Sequence, residues 1–145
     1  MKYSEVKEII ELAENLGVDT RELVENIDFQ ETNFEIGNYR FLEESEAVSE
    51  VVNMFEGDTY LLGCFNSCFI SDSTGIDFRV VEALQKSKNF PELGQLILDY
   101  TDDDLTEMIE EYIRVDGYGH ALCSYDGEHE ERTLNGVDYI YFRTN

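Results

Sequence analysis

The chain is predicted to be an α+β protein, with several short helices followed by a C-terminal antiparallel β-meander or pair of hairpins. Three observations carry this. Apolar residues recur at helical spacing through most of the first 115 residues. Asp126-Gly127 and Asn135-Gly136 are two-residue hairpin signals. Tyr139-Ile140-Tyr141-Phe142 is the clearest strand-forming run in the chain.

Taken in order, Val6, Ile9, Ile10, Ala13 and Leu16 mark a first helix, which Gly17 stops. Asp19-Thr20-Arg21-Glu22 reads as a capping box that opens a second helix, with Leu23, Val24 and Ile27 turned inward. Phe34, Ile36, Tyr39 and Phe41 sit in a strand-like stretch, where Gly37-Asn38 is a hairpin turn or a bulge. Val48, Val51, Val52 and Phe55 mark a third helix, ended by Gly57. Its other face carries Glu43, Glu44, Glu46 and Glu50.

Asp58 is expected to cap a more apolar, buried helix over about Thr59 to Ser71. Asp77 caps a helix through Gln85, and Asn89-Phe90-Pro91 starts the next, because Pro is tolerated in a first turn. Thr101-Asp102-Asp103-Asp104 reads as a capping box for a helix that buries Leu105, Met108, Ile109, Tyr112 and Ile113. The length fits one compact domain. One Pro and no Gly/Pro linker favour a single domain over 1–145.

The formal net charge is −23, from 33 acids against 10 bases. Solubility of a small domain needs a net charge of only about 2–8. Self-repulsion on this scale destabilises a compact chain and asks for a purpose. Nucleic acid and anionic membrane are repelled, so the expected partner is a basic protein. Residues 61–100 carry five acids and three bases. That near-neutral, apolar third is the candidate core or the surface of a homodimer. No apolar run reaches the roughly 18 residues of a membrane span. The N-terminus has no signal-peptide pattern, and three unpaired-looking cysteines suit a reducing cytosol, here that of a bacterial host.

Motifs for chemistry are sparse. Cys64 and Cys68, four apart, could join His120 and Cys123 in a zinc set, but the usual two-residue spacer is absent. Cysteines in apolar sequence more often pack as small hydrophobes. His120 three residues before Cys123 is one ingredient of a thiol nucleophile, without an orienting third group. Gly117-Tyr118-Gly119 fits neither phosphate-loop pattern, and Asp102-Asp103-Asp104 lacks the EF-hand spacing. No catalytic residue, metal or cofactor is expected.

What remains is acidic surface: Glu5, Glu8, Glu11 and Glu14; Glu43 to Glu50; Asp102 to Glu111; and the 128–131 segment. Carboxylates spaced on rigid elements can imitate duplex phosphates. On local charge density, the expected contact face is Asp102, Asp103, Glu107, Glu110 and Glu111, extended by Glu128, Glu130 and Glu131.

The run Tyr112-Ile113-Arg114-Val115-Asp116-Gly117-Tyr118-Gly119-His120-Ala121-Leu122 resembles the C-terminal part of ArdA-type antirestriction proteins. Those are acidic DNA mimics carried by mobile elements. The stretch from Gly119 to Glu130 is similar to small phage and prophage proteins. The resemblance implies a phage or mobile-element counter-defence protein, and it brings no catalytic residue. The first functional expectation is an inhibitor of a restriction or CRISPR nuclease. A non-enzymatic interaction module comes second, and a Cys/His metal protein third.

Overall fold

A computed structural model describes residues 1–145. The protein is α+β, with nine helices and a four-stranded antiparallel sheet. No helix is long and apolar enough to cross a membrane. The chain divides into two compact units. Unit 1 comprises residues 1–47 and 116–145, and unit 2 comprises 48–115.

Unit 1 begins with α1 (Tyr3–Leu16), stopped by Gly17 in the left-handed region at φ 71°, and α2 (Thr20–Asp28). The Asp19 carboxylate accepts the Glu22 N–H at 2.8 Å, as the capping pattern requires. Strands β1 (Asn33–Ile36) and β2 (Tyr39–Glu43) form a hairpin, settling Gly37-Asn38 as a turn. Strands β3 (Glu130–Leu134) and β4 (Val137–Arg143) form a second hairpin around Asn135-Gly136. Both turn residues have positive φ, 52° and 74°, which Asn and Gly supply most easily.

The sheet order is β1-β2-β4-β3, so the two hairpins join through β2 and β4. The sequence places strands at the C-terminus but does not reveal this pairing. Only one C-terminal hairpin exists. Asp126-Gly127 turns the chain after a short helix, α9 (Tyr118–Leu122), which the periodicity does not show because it spans five residues.

One sheet face stacks Phe34 on Phe41 at 5.0 Å and Phe41 on Tyr141 at 4.9 Å between centroids. This ladder, with Ile36 and Tyr139, packs against Ile9, Leu12, Leu23 and Ile27 of α1 and α2. The Tyr139 hydroxyl donates to the Glu31 carbonyl at 2.8 Å. Burial pushes the Tyr139 phenol above its ordinary range, and Glu31 and Glu43 add to the rise. Burial does the same to Tyr141, reinforced by Glu130. Both phenols must stay neutral in the fold. The stability tied to them is therefore complete below the unfolded value of about 10 and is lost as pH climbs above it. Urea midpoints should fall as pH rises above about 10, and the fall should be shallower for Tyr139→Phe. At neutral pH that substitution should cost about 1 kcal/mol, for the hydrogen bond to Glu31.

Unit 2 holds most of α3 (Glu44–Glu56), α4 (Thr59–Gly63), α5 (Ser67–Thr74), α6 (Phe78–Lys86), α7 (Phe90–Tyr100) and most of α8 (Thr106–Asp116). The continuous helix expected over 59–71 is broken. Asn66 accepts the N–H groups of Cys68 and Phe69, capping a new helix and ending α4 at Gly63. The side-chain cap outcompetes helix continuation because it satisfies two amides at once. Phe55, Phe65, Phe69 and Tyr112 form a ring cluster with neighbouring centroids 4.7–5.5 Å apart. Helices α4 and α7 meet at two glycines: a Cβ on Gly63 would lie 2.1 Å from the Phe90 carbonyl oxygen, and one on Gly94 1.9 Å from that of Thr59.

The expected capping box at Thr101 is also corrected. Thr101 closes α7, its hydroxyl donating to the Ile97 carbonyl at 2.8 Å. Asp102 and Asp103 follow at φ 53° and 59°, and Asp104 accepts the Thr106 N–H at 3.1 Å to open α8. The α7 ending uses the residues that spacing alone assigned to the start of the next helix.

Candidate functional site

The charge is carried by both units. Unit 1 has 19 acids and 6 bases, and unit 2 has 14 acids and 4 bases. Ten bases can pair with at most ten of the 33 acids one to one. Several bases pair with acids close by in sequence: Arg21 with Glu25, Arg79 with Asp77, Lys86 with Glu82. Such exposed pairs add little to stability, because water and salt screen them. They lower the field only locally.

On α8, Met108, Ile109, Tyr112 and Ile113 are buried, which turns Glu107, Glu110, Glu111 and Arg114 to solvent along one stripe. Glu111 is not a free charge. Arg114 binds it with two guanidinium contacts, which hold its carboxyl below the usual range. Asp104 is likewise held low by hydrogen bonds from the Thr106 side chain and backbone. The open carboxylates of this region are Asp102, Asp103, Glu107 and Glu110, all exposed.

Asp102 and Asp103 sit at the C-terminal end of α7, where the helix dipole disfavours anions. Both also adopt a backbone conformation that Gly or Asn takes with less strain. The turn itself closes α7, because the Asp103 N–H donates to the Leu98 carbonyl at 2.9 Å and the Asp104 N–H to the Thr101 carbonyl at 3.0 Å. The closure needs the backbone conformation and not the two carboxylates. Tyr100, 55% exposed, stands immediately before them. Its spacing from Leu93 and Ile97 reads as core, yet it lies past the end of the packed stretch, so pattern alone misses it. An exposed Tyr beside open acids is the residue type protein interfaces favour.

Glu128, Glu130 and Glu131 belong to unit 1, so the expected face has one part in each unit. All three are exposed. Glu131 faces His129 Nε2 at 3.2 Å. Arg132 reaches Glu8 of α1 at 3.4 Å, which brings the α1 acids beside the β3 edge. Only the sheet order shows that adjacency. Asp126 accepts the Glu128 N–H at 2.9 Å and the Cys123 thiol at 3.1 Å, and these bonds hold its carboxyl below the usual range.

The glycines of Gly117-Tyr118-Gly119 have a packing role. A Cβ on Gly119 would lie 2.5 Å from the Glu128 carbonyl carbon. The Gly119 N–H donates to His129 Nδ1 at 3.2 Å, and the Tyr118 ring meets His129 edge-on at 5.7 Å. Nδ1 must therefore be unprotonated, with the proton on Nε2 facing Glu131. Long-range ¹H–¹⁵N correlation near pH 7.5 should find the Nε2–H tautomer of His129; an Nδ1–H signal would contradict the bond to Gly119.

The thiols do not form a metal set. Cys64 and Cys68 are exposed on either side of the Asn66 cap, which corrects their expected place in the core. Partial desolvation by neighbouring atoms, with the nearby Asp58, pushes the Cys64 thiol up, away from the thiolate. Cys123 is buried, its thiol directed to Asp126 and to the Arg143 carbonyl, while His120 is exposed. No group of three or more His, Cys, Asp or Glu side chains is arranged to hold a metal ion.

No family model, curated protein or solved structure matches the chain. The run Tyr112 to Leu122 spans the end of α8 and all of α9, and its Tyr112, Ile113, Tyr118 and Gly119 are buried.

Proposed function

We propose that this is a non-enzymatic acidic binding protein of a phage or mobile element. It occupies the nucleic-acid-binding surface of a basic host defence enzyme, a restriction or CRISPR nuclease, by presenting carboxylates in place of phosphates. One observation carries the proposal. The open carboxylates at Asp102, Asp103, Glu107 and Glu110 are mounted on a helix and its entry turn, in a chain of net charge −23. Two of them are acids in the turn that closes α7, where the helix dipole disfavours a negative side chain. Tyr100 adds an exposed ring that a partner can bury, which strengthens protein contacts beyond charge alone.

The test is competition. Purified restriction and CRISPR effector nucleases are mixed with labelled duplex DNA and increasing amounts of this protein. At low salt the protein should displace DNA and stop cleavage by its target, and the inhibition should fade steeply as salt rises. Cleavage unaffected across the panel at low salt would sink the proposal.

A further inference from the structure

Helix α6 is unlike the rest of the surface. Val80, Ala83 and Ser87 recur at helical spacing on one exposed side of α6, and half-buried Leu84 borders them toward buried Val81. Val80 is 43% exposed and Ala83 is exposed. With Asp77, Arg79 and Leu84 they line a shallow, largely apolar depression. The opposite side is anchored inside unit 2: the Gln85 amide donates to the Gly63 and Phe65 carbonyls at 3.0 and 2.8 Å. The stripe is thus held rigidly and left uncovered.

Its charge is also different. Residues 77–88 contain Arg79, Lys86 and Lys88 against Asp77 and Glu82, a local net of +1 in a chain of −23. Three of the ten bases lie within these ten-odd residues. A basic partner gains nothing from such a face, whereas another copy of this chain does. Two molecules of this charge repel wherever acidic surfaces meet, and the repulsion is weakest where each presents a neutral apolar face.

We propose that α6 is a self-association face on which a second copy of this chain docks through its own α6. The apolar area of one helix face places the contact in the weak, concentration-dependent class. This proposal does not rest on the inhibitor function.

Sedimentation equilibrium of the full chain tests it, from about 10 μM to about 1 mM in roughly 50 and 500 mM NaCl. A monomer–dimer equilibrium is expected, with an association constant about tenfold higher at the greater salt, where the repulsion is screened. Val80→Asp and Ala83→Glu should each lower association about tenfold, with unchanged circular dichroism, because both side chains face solvent. Gln95→Ala, exposed on α7 and neutral in charge, should leave it intact. Three results would overturn the proposal: a monomer at the highest concentration and salt; a dimer indifferent to both α6 substitutions; or association that weakens with salt and runs past the dimer, which marks an acid–base contact between unlike faces.

Discussion

Gly94→Ala is expected to destabilise unit 2 by about 3 kcal/mol or more, through backbone overpacking. In an ordinary exposed helix interior the same change stabilises by about 0.5–1 kcal/mol. The sign reverses here because the new methyl carbon would lie 1.9 Å from the Thr59 carbonyl oxygen. The obstacle is main chain, which no rotamer change can clear. Helices α4 and α7 would have to separate, and the reciprocal contact of Gly63 with Phe90 would open with them. Against a total stability of about 5–15 kcal/mol, the loss would leave a large share of molecules unfolded at moderate temperature. Urea denaturation followed by circular dichroism measures it, with Gln95→Ala on the exposed side of the same helix as the control. A Gly94→Ala midpoint equal to that of Gln95→Ala would mean the helices are not in backbone contact.

The second large effect is on binding. Reversing Asp102, Asp103, Glu107 and Glu110 to Lys should abolish inhibition of a DNA-binding target, because repulsion then replaces attraction at each contact. The slope of log affinity against log salt should flatten by about one unit for each acid that had stood in for a phosphate. A gentler variant separates function from folding. Asp102→Asn with Asp103→Gly relieves the left-handed strain and the unfavourable helix-end charges, and should raise stability by about 0.5–1 kcal/mol. If this more stable variant also inhibits less, the two aspartates serve binding. If it inhibits as well as the natural chain, they do not form the contact.

Much of the fold is legible locally. Asp19, Asp58 and Asp77 cap the helices their positions announce, because a short acidic side chain meets an amide two or three residues on. Asn135-Gly136 makes its hairpin because both residues tolerate positive φ. Where two local signals compete, the pattern misleads. Asn66 breaks an apolar run into two helices, exposing Cys64 and Cys68. Thr101 serves the helix before it rather than the one after.

Composition also determined the overall charge, and with it the kind of partner the surface can attract, since net charge does not depend on folding. Which carboxylates remain open was decided partly within single helices and partly by tertiary contact. Arg114 engages Glu111 one turn away on α8, a local pair that leaves Glu107 and Glu110 exposed, whereas Arg132 reaches Glu8 only because the fold brings β3 to α1. Pairing of β2 with β4 joined segments about a hundred residues apart in register, Phe41 opposite Tyr141. Long-range pairing depends on which faces fit together once collapsed, and no local propensity encodes it. Capping, turn geometry and charge belong to neighbouring residues and are written in the sequence. The sheet order and the glycine crossing arise only where distant segments meet.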